Sequence, residues 1–61
     1  MNMSKENYFY AIVKNKETHH TCFVNNEPSA INEAEIRGYQ VIDFAPNISE
    51  AQRKIFGRLV S

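Results

Sequence analysis

Two runs dense in aromatic and β-branched residues, Tyr8-Phe9-Tyr10-Ala11-Ile12-Val13 and His20-Thr21-Cys22-Phe23-Val24, are joined by a short polar stretch beginning Lys14-Asn15-Lys16-Glu17-Thr18. So close a connection makes the pair an antiparallel hairpin. With residues 15–18 as the turn, Lys14 faces His19 and the remaining pairs follow outward. Side chains alternate across a strand, so one face then carries Phe9, Ala11, Val13, Cys22 and Val24 with His20 at its end. The other carries Tyr8, Tyr10, Ile12, Thr21 and Phe23. Both faces are apolar, and whatever follows in the chain must cover both or leave one to a partner.

The sequence after the hairpin supplies two helices and a strand. Pro28 suits a first helical position, Asn26 or Glu27 precedes it as a cap, Glu33 and Glu35 fall inside the run, and Gly38 after Arg37 stops it. Ala30, Ile31 and Ala34 make a narrow face of small residues suited to close approach on a sheet, while Ile36 points elsewhere. Tyr39-Gln40-Val41-Ile42-Asp43-Phe44 reads as a third strand, closed by Ala45-Pro46-Asn47. Ser49 followed three residues later by Gln52 has the form of a capping box opening a last helix, with Ala51, Ile55 and Leu59 as its stripe and Phe56 on the flank. Gly57 lowers helix propensity by about 1 kcal/mol relative to Ala, so the end of that helix is expected to fray or bend.

The expected architecture is a small single α+β domain, β-β-α-β-α, over residues 7–61 after a flexible N-terminal tail over 1–6. A crossover through the first helix sets the third strand beside the first, giving a three-stranded antiparallel sheet of order 2-1-3 packed on helices. The expected core is Phe9, Ala11, Val13, Val24, Ile31, Ala34, Ile42, Phe44, Ile55 and Leu59. The first helix takes the Val13 face. The last helix covers either that same face, exposing Tyr8, Tyr10 and Phe23 as an aromatic patch, or the opposite face, making them core.

Size and charge narrow the function. A 61-residue chain has room for one core, since domains below roughly 40 residues need metals, disulfides or partners. It leaves little material to wall a substrate pocket of about 300 Å³ or more. Seven Lys or Arg balance seven Asp or Glu, so the chain lacks the cationic field of a non-specific nucleic-acid or lipid binder. The single Cys22 has no partner for an internal disulfide, which points to a reducing, cytoplasmic setting. The polar N-terminus has no apolar segment of a secretion signal, and no stretch approaches the ~20 apolar residues of a membrane span. On these grounds the chain reads as complete, cytoplasmic and without membrane contact.

Few residues carry candidate chemistry. His19, His20 and Cys22 are metal-ligand types, but His19 points to the opposite face from the other two and no later Cys or His pair closes a zinc site. Neither a metal nor a cofactor is expected. His20 and Cys22 stand about 7 Å apart along a strand with no third member, so nucleophilic catalysis is not expected either. Glu33 and Glu35 lie on different sides of their helix and read as solvated.

The pattern of elements from Tyr8 to Pro46, a hairpin, a helix starting near Pro28 and a strand after Gly38, resembles the compact α+β folds of small phage-encoded proteins that bind and block host enzymes, such as the RNA polymerase inhibitors of T7-like phages. The resemblance implies a non-enzymatic protein–protein interaction module, of the phage or mobile-element accessory kind, that inhibits or redirects a larger host protein. The residues themselves, and not the resemblance, supply the expected contacts: Tyr8, Tyr10 and Phe23 of the second sheet face with the basic Arg53, Lys54 and Arg58 of the last helix. The same residues suit an alternative, a single-stranded RNA or DNA binder with aromatics stacking on bases and cations on phosphates. A third reading makes the aromatic face the seam of a homodimer.

Overall fold

A computed structural model describes the backbone of residues 8–60 and the side chains of residues 8–57. The tail expected over residues 1–6 and the side chains of Arg58 and Leu59 lie outside the described residues. Strand β1 (Tyr10–Asn15) is followed by β2 (Thr21–Asn25), helix α1 (Pro28–Ile36), β3 (Tyr39–Ala45) and helix α2 (Ile48–Val60). The chain is thus a β-β-α-β-α domain with an antiparallel three-stranded sheet of order β2-β1-β3. Among the described residues no helix is long and apolar enough to cross a membrane.

The hairpin pairs in a register two residues away from the expected one. Lys14 lies opposite Thr21, Val13 opposite Cys22 and Ile12 opposite Phe23. The Asn15 side chain accounts for the difference. Its Oδ1 accepts the N–H groups of Glu17 at 2.8 Å and Thr18 at 2.9 Å, and the loop runs on to His19 in the left-handed region at φ 64°. The Asn15 N–H then donates to the His20 carbonyl at 2.8 Å, which resets the ladder. Because strand side chains repeat every two residues, a two-residue slip leaves each of them on its expected face.

Pro28 occupies the first turn of α1, and Glu27 is the cap position without a side-chain capping bond. The helix ends at Gly38, whose φ of 94° suits a residue lacking Cβ and whose N–H reaches the Glu35 carbonyl at 3.0 Å. Helix α2 begins earlier than Ser49. Asn47 is its cap, with Oδ1 accepting the Glu50 N–H at 2.9 Å and its carbonyl accepting the Ala51 N–H at 3.0 Å. The Ser49/Gln52 pair is therefore not the capping box. Asn47→Ala should destabilise the domain by about 1 kcal/mol in urea melts. Ser49→Ala should stay within about 0.5 kcal/mol of wild type, and the reverse ranking would reinstate the expected box.

The helices lie on opposite faces of the sheet. Helix α1 sets Ala30 and Ala34 against Val13, Cys22 and Val24. Helix α2 sets Ala51 and Ile55 against Ile12 and Ala45, with Tyr10, Phe23 and Ile42 packed around that cluster. Two thin apolar layers flanking β1 thus replace the single expected core. Ile12, absent from the expected core, is fully buried together with Val13. Phe9, placed in that core, is 69% exposed. Tyr8, not Phe9, stacks on Phe44, with centroids 6.2 Å apart and planes 10° from parallel. With that neighbour taken, Phe9 is left to solvent. Val24, Ile31, Ile42 and Phe44 are half-buried, and Ala11, Ala34 and Ile55 are buried as expected.

Strand β3 carries a bulge. Asp43 lies opposite Ile12 and Val41 opposite Val13, which leaves Ile42 as the extra residue. The bulge brings both Ile42 and Asp43 to the α2 face and returns Phe44, opposite Ala11, to the α1 face. Asp43 thereby comes within reach of Lys54 on α2, whose Nζ stands 3.4 Å from its Oδ1.

Candidate binding groove at the end of the sheet

The described residues among those expected to make one contact surface do not converge. Tyr10 and Phe23 pack edge to face, with centroids 5.4 Å apart at 86°, half-buried beneath α2. The proposed open aromatic face is therefore largely interior. Tyrosine and phenylalanine satisfy each other there as diagonal neighbours on adjacent strands. Arg53 is exposed and paired with Glu50 at 2.9 Å. Lys54 donates to the Phe44 carbonyl at 2.6 Å as well as facing Asp43, so its ammonium works as an internal clamp. Arg58 lies outside the described side chains.

A broad concavity opens instead at the end of the sheet where β2 leads into α1 and β3 into α2. It measures about 820 Å³ and is open to solvent. Tyr8, Phe9 and Tyr10 line it from the start of β1, and Pro46, Asn47, Ile48 and Ser49 from the start of α2. Asn25, Asn26 and Glu27 complete the lining. Two of the large apolar residues the fold leaves exposed, Phe9 at 69% and Ile48 at 48%, belong to this one site.

Local chemistry fixes the walls. The Asn26 N–H donates to the Phe9 carbonyl at 2.9 Å and its Nδ2 to the Tyr8 carbonyl at 3.0 Å, which ties the entry of β1 to the exit of β2. Asn47 is held by its capping bond, which places Ile48 at the first helical position. The side-chain amide of Asn25 has no partner among the described residues and is exposed at the rim. Glu27 brings the one formal charge among the described lining residues. The result is an aromatic and aliphatic floor rimmed by amides, with a single carboxylate.

The expected ligand-type residues are placed separately. His19 sits in the turn, and His20 Nδ1 is 3.0 Å from the Tyr39 hydroxyl, with the two rings edge to face. Cys22 lines a smaller cavity of about 180 Å³ under α1, where burial pushes the thiol pKa up and keeps it protonated. No group of three or more His, Cys, Asp or Glu side chains converges among the described residues.

Phe9 and Ile48 escaped the sequence reading for related reasons. Strict alternation puts Phe9 in the core, and a helix opened at Ser49 after a turn ending at Asn47 leaves Ile48 without an assignment. Asn47 three residues before Glu50 was the available signal, since that spacing is itself a capping pattern. Compared with protein-family models, curated proteins and solved structures, the chain matches none of them.

Proposed function

We propose that the chain is a non-enzymatic protein–protein interaction module whose groove at the sheet end receives an extended segment of a larger protein. The observation that carries this reading is the coincidence of Phe9 and Ile48, both exposed, in one concavity with the exposed amide of Asn25 at its rim. Apolar side chains flanked by groups able to bond peptide N–H and C=O are what an extended segment needs for anchoring and register. Glu27 favours a segment with an amine or guanidinium beside its apolar anchor. In its finer form the proposal makes the partner a host protein that the chain inhibits or redirects, in the cytoplasm, where the lone thiol of Cys22 stays reduced.

The test is a display selection of extended peptides on the folded domain, followed by binding measurements with variants. Phe9→Ala combined with Ile48→Ala should weaken the selected peptides about tenfold or more, the scale of losing anchors at the centre of an interface. Ile36→Ala, on a residue more exposed than either and outside the groove lining, should bind as wild type. Selected peptides indifferent to Phe9 and Ile48 would contradict the assignment, as would steeply salt-dependent capture of single-stranded RNA on the α2 cations.

A further inference from the structure

The two outer strands differ in how their free edges are treated. Asn15 donates to His20, and Asn26 donates to Phe9. The pairs between these two, Val13 with Cys22 and Ala11 with Val24, are by the antiparallel alternation the hydrogen-bonded ones. Thr21, Phe23 and Asn25 therefore turn their backbone groups away from β1 toward the open edge of β2. The Asn25 carbonyl accepts the Glu27 N–H at 2.8 Å, while its own N–H points outward. No partner for the outward groups of Thr21 and Phe23 is present among the described residues.

The β3 edge is closed by comparison. Phe44 is an outward-facing position there, and its N–H donates to Asp43 Oδ1 at 2.7 Å while its carbonyl accepts Lys54 Nζ at 2.6 Å. A bulge interrupts the same strand. Bulges and charged groups over the edge are the devices by which sheets avoid pairing with other chains. Strand β2, Thr-Cys-Phe-Val-Asn, has no charge, no proline and no bulge.

We infer that β2 is a docking edge for β2 of a second copy of this chain, joining two sheets into one of six strands. The occupant follows from self-complementarity. Antiparallel pairing about a two-fold axis at Phe23 lets Phe23 exchange both bonds with Phe23 of the second copy, and sets Thr21 opposite Asn25. Cys22 then faces Val24 across the seam on the α1 side. Polar residues meet polar, apolar meet apolar, and no like charges are brought together. Pairing of β2 with β3 would be heterologous and would build a ring or a filament in place of a closed dimer, and the bonds at Phe44 oppose it. Each helix touches both outer strands, so neither belongs to the β2 edge alone. The pairing reverses strand direction, so the two grooves open at opposite ends of the assembly and remain separate from the seam's centre.

The experiment is sedimentation equilibrium of the full chain and two charge variants. The wild type should dimerise. T21K/N25K places lysines opposite each other twice across the seam and should weaken the dimer about tenfold or more. T21K/N25E places opposite charges there and should restore it. A chain that stays monomeric up to about 1 mM, or a dimer of equal strength in all three proteins, overturns the inference and assigns any association to another surface. Val24→Cys gives an independent reading in an otherwise native chain. Opposed Cα atoms in such a non-hydrogen-bonded pair lie about 4.5 Å apart, within disulfide range. Mild oxidation should yield a covalent dimer with residue 22 linked to residue 24 of the other copy, and its absence, or a different linkage, overturns the inference.

Discussion

Ile12→Ala should leave the domain largely unfolded at physiological temperature. Ile12 is fully buried at the centre of the middle strand, and its neighbours in the α2 layer are Ala45, Ala51 and Ile55. Truncating a buried isoleucine to alanine costs about 2–5 kcal/mol, the upper values arising where the surroundings cannot collapse into the cavity. Alanines at 45 and 51 have no side-chain reach with which to fill it. A single core in a chain below roughly 70–80 residues rarely supplies more than about 3–5 kcal/mol, so this one truncation approaches the whole stability. Ile12→Val should cost about 0.5–1.5 kcal/mol and stay folded. Phe9→Ala, at a position exposed in the fold, should remain within about 0.5 kcal/mol of wild type. Urea melts followed by circular dichroism rank the three. Comparable losses for Phe9→Ala and Ile12→Ala would mean that the strand faces are assigned wrongly.

Lys54→Met should cost about 1.5–3 kcal/mol, the range for hydrogen bonds to charged groups, because it removes the ammonium and retains the aliphatic stem. The Lys54 ammonium stands between the Phe44 carbonyl and the Asp43 carboxylate, both on β3, and so fastens α2 to the bulged edge of the sheet. The Lys54 and Asp43 side chains are each about one-third exposed, 33% apiece, which places the pair between a surface ion pair of small value and a buried one. Lys54→Met leaves the Asp43 carboxylate, which still accepts the Phe44 N–H at 2.7 Å, without this cation, so part of the cost is the lost charge pairing. Adding Asp43→Asn should therefore recover some of the loss, and a double-mutant cycle isolates the coupling. Full stability in Lys54→Met would return this lysine to the set of cations available to a partner.

The element order and strand order were legible because each boundary has a local cause. The short polar loop dictated a hairpin, Pro28 and Gly38 bracketed α1, and the crossover through α1 set the apolar run after Gly38 beside β1 and not on the free edge of β2. The α2 layer was harder to read. Its helix is placed by packing of Ala51 and Ile55 on Ile12 and Ala45, a tertiary choice between two sheet faces that were equally apolar in sequence. That choice moved Tyr10 and Phe23 from a candidate surface to a half-buried layer. The bulge at Ile42 was equally hidden, because a strand of six or seven residues gives no local sign of where one extra residue enters the ladder. Without it Lys54 has no Asp43 to meet, and so the lysine read as a cation for a partner. Phe9 shows the limit of alternation itself: the strand proper begins at Tyr10, and Tyr8 fills the place beside Phe44.

The groove at the sheet end is the centre of the functional account, and amide chemical-shift mapping tests it most directly. A 15N-labelled domain titrated with a peptide from the display selection should show its largest shifts at Phe9, Asn25, Asn26, Glu27 and Ile48, with small changes along the exposed side of α2. Shifts centred on Arg53 and its neighbours, or spread over the Phe56 surface with the groove silent, would contradict it.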